Sequence, residues 1–367
     1  MQRPHKGLRR YLRLCVQVFC VLCALLLIAS IASIFVSPAV CPFASLLCLA
    51  FPFFFVFNTF ALFAALFVRR KTWIMPLVAL VISLPALRAY CPVNFSKSVP
   101  DGADTLCILT FNTRNFGGHE SDENGRNFVA GFMLDAAADI VCFQEGAYEP
   151  DFYESHVLPV LTKRYPFYDI QLYPRRSPMG IFSRWPLVEK ETVSRSGSNI
   201  VLAYRVVRNA GDTLRIVNCH LSSIGLTEAQ RGLYSAAVRG YVAAADTSGG
   251  VPAIIRSFCD AASSRAQMAD KVAAYIEKHR GEQIIVCGDF NDIPVSYATR
   301  RIASGLTDCY RATGNGIGRT FCRDAIVVRI DHIFCSQQFE PLCCRVVPIE
   351  TFSDHYPMLT TLIRRKP

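Results

Sequence analysis

The sequence predicts an α/β domain, two packed sheets with helices on their outer faces, preceded by an N-terminal region of apolar helices. Short apolar runs at residues 106–111, 140–143 and 283–287 read as buried strands, because four to six consecutive apolar residues bounded by turn material fit a sheet covered on both faces. Segments with helical spacing fall between groups of strands, which suits two sheets packed face to face. Charge is divided along the chain. Of 367 residues, the first 100 contain none of the 29 acidic residues and ten of the 39 basic ones, so residues 101–367 balance at 29 of each sign.

The acid-free region contains three apolar stretches, at about 12–36, 43–68 and 72–88. The first two exceed the roughly 20 residues that cross a bilayer. The third is shorter and holds Pro76 and Pro85, but Lys71 and Arg88 bracket it and can snorkel from a short span. A signal peptide is the simpler reading of the first stretch, but its core is too long and further apolar stretches follow. Residues 1–88 are therefore expected to form a transmembrane region of three spans. Basic residues before the first stretch and Arg69-Arg70-Lys71 after the second place both on the cytoplasmic side. With three spans, the remainder lies outside the cytoplasm, at the plasma (inner) membrane. Residues 89–104, with Pro92 and Pro100, read as a linker that reaches at most about 55 Å.

Residues 105–367 then form the α/β domain. Strands are expected at 106–111, 140–143, 178–182, 200–207, 213–219, 283–287, 327–334, 343–347 and 358–363, and helices at 127–138, 227–245 and 252–279. Thr227 and Gln230 have the spacing of a capping box. Cys107, Cys142, Cys219, Cys287 and Cys335 lie in or beside strand-like runs and are expected to pack as small hydrophobes. Cys309, Cys322, Cys343 and Cys344 lie in less regular sequence where bridging is open. The neutral domain weakens a nucleic-acid reading, which needs basic surface to displace phosphate counterions. Arg175-Arg176 is a minor basic patch of the kind found on any solvated surface.

Six of the strand-like runs end on polar residues capable of chemistry. Asn112 and Glu145 close two of them and offer hard oxygens suited to Mg²⁺. His220 closes a third; a lone strand-end histidine is more often structural. Asp289 and Asn291 follow Gly288, so a carboxylate that accepts a proton from water stands beside an amide that holds water or a phosphate oxygen; an ordinary turn explains them equally well. Asp331 would orient an imidazole, and Asp354-His355 pairs a metal ligand with a group that stabilises a negative phosphorane.

Taken in order, Phe111-Asn112, Gln144-Glu145, Asn218-Cys219-His220-Leu221, Gly288-Asp289-Phe290-Asn291, Arg329-Ile330-Asp331-His332-Ile333 and Ser353-Asp354-His355-Tyr356-Pro357 resemble the endonuclease/exonuclease/phosphatase superfamily. The segment from Met179 to Pro186 is similar too. The resemblance implies a four-layered α/β sandwich like that of deoxyribonuclease I and cleavage of phosphate esters with Mg²⁺, Mn²⁺ being a possible substitute. It implies that Asn112, Glu145 and Asp354 serve the metal, that Asp289 and Asn291 position and activate water, and that His220 and His355, the latter paired with Asp331, hold the scissile phosphate. The chain departs from the family at Arg114, where an acid is common, and lacks the substrate-groove residues of DNA-repair members.

The expected function is a membrane-anchored, divalent-metal-dependent phosphodiesterase or phosphatase acting on lipid headgroups or other small phosphate esters. Its expected partners are the bilayer and that ester. Metal-dependent cleavage of extracytoplasmic nucleic acid is the alternative, and a non-catalytic binding module that kept the fold is a third reading, opposed by the complete set of acids and histidines.

Overall fold

The computed structural model describes residues 5–68, 71–100, 102–123, 125–172, 177–209, 211–225, 232, 250–323, 327–349 and 353–365. Apart from residue 232, the helix expected at 227–245 lies outside these residues, as does the Arg175-Arg176 patch.

Twelve strands among the described residues form two six-stranded sheets. They are β1 (Thr105–Asn112), β2 (Ile140–Gln144), β3 (Phe167–Gln171), β4 (Met179–Ser183), β5 (Leu187–Ser196), β6 (Asn199–Asn209), β7 (Asp212–His220), β8 (Ile284–Asp289), β9 (Thr307–Asp308), β10 (Asp331–Cys335), β11 (Phe339–Val346) and β12 (Met358–Arg364). The first sheet runs β11-β12-β1-β2-β4-β3 and the second β5-β6-β7-β8-β10-β9. Each has one parallel pair near its centre, β1 with β2 and β7 with β8.

An apolar layer that includes Leu106, Ile140, Ile181, Ile216, Ile285 and Ile333 fills the space between the sheets. Leu109, Val141 and Phe182, on the opposite face of the first sheet, pack with Val129 and Met133 of the helix Phe128–Asp135. On the second sheet Val217 and Val286 pack with Met268 and Val272 of the helix Gly250–Lys278. Both faces of the central strands are therefore buried, which is why they read as continuous apolar runs. The sixteen cysteines are free thiols; of the five expected to pack, Cys142, Cys219, Cys287 and Cys335 are buried and Cys107 is half-buried.

The two-residue β9 was not expected, and three longer strands differ from the sequence reading. β3 and β5 were not expected, and the run at 327–334 forms a strand only from Asp331, because Arg329 turns inward and its neighbours leave the sheet.

At the N-terminus α1 (His5–Ser33), α2 (Ala44–Leu49), α3 (Phe51–Phe67) and α4 (Ile74–Tyr90) pack together. Two stretches, Arg10–Ser33 and Lys71–Tyr90, are long and apolar enough to cross a membrane. The second expected span is broken: Ala50 separates α2 from α3, and Pro52 occupies the first turn of α3, where its missing N–H is tolerated. The 17 residues of α3 give about 26 Å of helix, at the lower end of the lengths that cross a bilayer. Small residues face inward, Ala24, Ala61, Ala65, Ala79 and Ser83 being buried, while Leu22, Leu25, Phe53, Phe57, Phe60, Val81 and Leu84 are exposed.

The bundle is joined to the α/β domain. A helix leaves its last carbonyls without intrahelical donors, and arginines of the domain supply them at two helix ends. Arg300 Nε donates to Ile34 O at 3.1 Å just past α1, with its guanidinium 4.7 Å from the Phe35 ring. Arg329 donates through its two terminal nitrogens to Ala89 O in α4 (2.6 Å) and to Ile317 O (2.5 Å). Ile293 and Val295, just past Asp289, share a buried cluster with Leu27, Phe51, Ala86 and Tyr90. The connector, expected as an open tether, lies along the domain: Asn94 bonds to Asn315, Arg311 and Gly314, and Lys97 pairs with Glu340 at 2.8 Å.

Candidate active site

Strand register gathers the polar endings. In the second sheet His220 of β7 stands opposite Asp289 of β8, and Asp289 stands opposite Asp331 of β10, so three strands present these residues in one row. In the first sheet Asn112 is level with Gln144, which precedes Glu145. Gly288 makes the close approach of β7 and β8 possible: its φ is +133°, and a Cβ there would lie 2.0 Å from Cys219 O. Glu145 and Asn291 follow their strands with φ of 50° and 51°, conformations that cost a non-glycine residue about 1 kcal/mol or more.

Asp289 is held from both sheets. Its Oδ2 accepts from Asn112 Nδ2 at 2.9 Å and Asn291 Nδ2 at 3.2 Å, and its Oδ1 accepts from the Asn291 amide at 2.8 Å. Asn291 Nδ2 also donates to Leu221 O. Burial raises the Asp289 carboxyl and Asp331 adds to the rise, against the imidazoles of His355 and His220. His355 Nδ1 lies 2.8 Å from Asp331 Oδ2, and its Nε2 is 3.8 Å from Asp289. Burial opposes charge on His355, but Asp331 and Asp289 outweigh it and push the imidazole up to about 10. His220 Nε2 lies 3.4 Å from Glu145 and 3.9 Å from Asp289. Burial would raise the Glu145 carboxyl; His220, with help from Asn112, instead holds it at about 2.

Asp354 is placed apart from this group. Its Oδ2 lies 3.7 Å from Arg114 Nε and 3.9 Å from an Arg323 terminal nitrogen. Two sets of donors among the described residues have ligand atoms mutually within 4.8 Å, Glu145 with His220 and Asp289, and Asp289 with Asp331 and His355; neither includes Asp354. The first set fits a hard divalent cation. It combines two carboxylates with the Asn112 amide nearby, the oxygen donors such an ion prefers.

Supporting residues passed over in the sequence lie beneath the site. Gln144 Nε2 donates to Asn218 Oδ1 at 2.6 Å, and Asn218 Nδ2 donates to Phe143 O and Gly180 O, tying the two sheets together. Both residues stand inside the quoted motifs, which was their signal. Thr320 Oγ1 accepts from the amides of Ile330 and Asp331, and Ser353 Oγ donates to Asn112 O while accepting from the His355 amide. Thr320 has no comparable signal, since it lies in irregular sequence.

His332, beside Asp331, is buried and donates from Nε2 to Asp292 O at 3.0 Å. Burial, and then Arg329, lower it to about 3. A histidine held neutral in the fold takes up a proton on unfolding below about 6.5, so stability should fall by about 1.4 kcal/mol per pH unit from there towards pH 3. Denaturant titrations of the parent and His332→Phe at pH 7 and pH 5 measure this; the variant should lose less stability on acidification.

A two-sheet α/β fold with acids, amides and histidines paired along one rim is the arrangement of a hydrolase site. A family model described as the Endonuclease/Exonuclease/phosphatase family matches residues 109–355, and the chain belongs to that family. A second model, described only as a domain of unknown function, matches residues 13–90. Among solved structures, ANGEL2, a 2′,3′-cyclic phosphatase in complex with adenosine-2′,3′-vanadate, aligns with a TM-score of 0.50 at 14% identity over 74% of this chain and 99% of its own. An endonuclease/exonuclease/phosphatase family protein from Bacteroides thetaiotaomicron aligns at 0.49 and 18% over 72% and 99%, and the human Nocturnin catalytic domain with bound sulfate at 0.49 and 15% over 72% and 97%. At these identities the likeness is one of fold. No curated protein matches the chain.

Proposed function

We propose that the chain is a membrane-anchored, divalent-metal-dependent hydrolase of phosphate esters, with residues 1–88 as a three-span anchor, 89–104 as connector and 105–367 as an extracytoplasmic catalytic domain at the plasma membrane. The alignment of His220, Asp289 and Asp331 in adjacent strands, facing Asn112 and Glu145 of the other sheet, carries the catalytic reading. Mg²⁺, or Mn²⁺ in its place, would be held by Glu145 with Asn112 and would supply charge stabilisation for the phosphate oxygens. Asp289, oriented by Asn112 and Asn291, accepts the proton of the attacking water. His355, kept charged by Asp331, and His220 donate to the phosphate as negative charge develops.

Membrane anchoring is supported by the bundle, whose small residues face inward and whose large apolar ones face outward, as expected of helices solvated by lipid. The ends of α1 and α4 that meet the domain are opposite the ends near Arg10 and Lys71, which supports a cytoplasmic location for these basic residues and an outside location for the domain. Because Ile293 and Val295 of the catalytic loop pack on the bundle, the site stands close to the bilayer surface, and the neutral domain lacks the basic excess of a nucleic-acid binder. These observations favour lipid headgroups or other small phosphate esters as substrates.

The test is hydrolysis by the full chain reconstituted in vesicles with Mg²⁺, offered phospholipids, sphingomyelin, soluble phosphate monoesters, DNA and RNA. Turnover of a lipid-borne or small ester is expected; cleavage of nucleic acid with the others untouched would replace this reading by the nuclease one. A reporter fused to the C-terminus should be active outside the cytoplasm, and a cytoplasmic-only signal would overturn the three-span topology.

A further inference from the structure

The row formed by His220, Asp289 and Asp331 is tied together a second time, a few residues further along each loop, and a buried arginine makes the tie. Arg265 of the helix Gly250–Lys278 is 4% exposed. Its Nη1 donates to Ser222 O at 3.0 Å, two residues past His220, and its Nε pairs with Asp292 Oδ2 at 3.4 Å, next to Asn291. The carbonyl of Asp292 in turn accepts from His332 Nε2, beside Asp331. The same helix also grips the first of these loops through Ser264, whose Oγ lies 2.6 Å from Ser222 Oγ. The chain segments leaving β7 and β8 and the start of β10 therefore meet in one buried polar network.

Fastening the helix to the sheet does not require this arginine. Met268, Val272, Tyr275 and Ile276 already pack the helix on Val217 and Val286. A buried ion pair loses to desolvation much of what its attraction contributes, so apolar residues would serve packing at least as well. What an arginine adds is direction. Its planar guanidinium presents donors in a rigid fork, which neither an apolar side chain nor a lysine provides. Here the fork spans the loop after His220 and the loop after Asn291, the two segments whose relative position sets the second sheet's share of the site.

We propose that Arg265 is a positioning residue for the reaction, setting through Ser222 and Asp292 where His220 stands relative to Asp289 and Asn291. This rests on the phosphoesterase reading for the reaction, though the position of the His220 ring is measurable without it. Displacing a reacting group by about 1 Å costs up to about 10²-fold in rate, so a tie remote from the chemistry can govern turnover. Glu145 and Asn112 lie with the first sheet and outside this network, so the number of bound metal ions reports intact sites independently.

The test uses the full chain in detergent micelles with Mn²⁺ and nitrophenyl phosphate esters, Mn²⁺ being counted by electron paramagnetic resonance. Arg265→Lys keeps the charge and loses the fork, and Asp292→Asn keeps an oxygen acceptor and loses the charge. Arg301→Met is the control: it removes the pair of Arg301 Nε with Asp270 Oδ1, which joins the same helix to the helix Tyr297–Ile302 without touching the row. Arg265→Lys should lower kcat about ten- to a hundredfold with KM and the Mn²⁺ count unchanged. Asp292→Asn should also lower kcat, and the double variant should lose less than the product of the two single losses, because both act through one contact. Arg301→Met should keep the parental kcat. Parental kcat in Arg265→Lys, single losses that multiply in the double variant, or an equal loss in Arg301→Met would overturn the assignment. So would a lower melting temperature and Mn²⁺ count in Arg265→Lys with parental kcat per bound ion, the result for an arginine that serves the fold alone. A parent that hydrolyses no ester refutes the phosphoesterase reading, and the ¹⁵N resonances of the His220 ring then decide the positioning. They should move in Arg265→Lys and stay in place in Arg301→Met; unmoved resonances in Arg265→Lys overturn it.

Discussion

Asp289→Asn is expected to lower kcat/KM for phosphate-ester hydrolysis by about 10²–10⁴-fold, the range that a positioned general base contributes. The substitution keeps the shape of the side chain and removes its ability to take a proton. It also sets an amide against the Nδ2 groups of Asn112 and Asn291, which now donate to Asp289 at 2.9 and 3.2 Å. Asp289 is buried at the meeting of both sheets, so circular dichroism and thermal unfolding of the full chain must accompany the kinetics. A folded variant with parental rates would remove Asp289 from the chemistry and leave His355 and Asp331 without the acceptor they surround.

Arg329→Met is expected to destabilise the full chain by about 2–6 kcal/mol, since two part-buried carbonyls each lose their donor at about 1–3 kcal/mol. Arg329 is fully buried, its guanidinium lies 4.2 Å from the centre of the Tyr310 ring, and it donates to carbonyls of Ala89 and Ile317. Methionine fills comparable space but leaves those two acceptors unpaired. Since Ala89 belongs to α4 and Arg329 stands two residues before Asp331, both the bundle and the catalytic loop should loosen together. Denaturant unfolding in detergent micelles measures the change. A shift under 1 kcal/mol would mean that the helices and the α/β domain are held by the apolar cluster alone.

The strands that carry the site were legible because they are buried on both faces. Ile284-Ile285-Val286-Cys287 and Ile140-Val141-Cys142-Phe143 are continuous apolar runs, and each stops where its backbone leaves the core on a polar residue. β3 and β5 were not legible because they are edge strands. Glu189, Lys190 and Glu191 suit a solvated edge, and such strands take their register from β4 and β6 rather than from an apolar pattern. The run before Asp331 misled for the opposite reason, since Arg329 is buried while its apolar neighbour Val327 is exposed.

The chemistry read from strand ends was local, and the contacts that modify it were not. Nothing in the order of residues links Ile293 with Leu27, or Asp354 with Arg114, because these pairs are set by packing across the whole chain. The break at Ala50 is a milder case. Pro52 was visible in the sequence, but a proline in the first turn of a helix can either end one helix or begin the next. Which of these applies is decided by the neighbouring helices.

Hydrolysis of nitrophenyl phosphate esters by the detergent-solubilised full chain, followed before chelation with EDTA, after it, and on return of Mg²⁺ or Mn²⁺, tests whether the rim of Asn112, Glu145, His220, Asp289 and His355 is a metal-dependent hydrolytic site. Release of nitrophenol that stops on chelation and resumes with either ion is the expected result. Release that chelation leaves unchanged, or no release from any phosphate ester at any metal concentration, would contradict it.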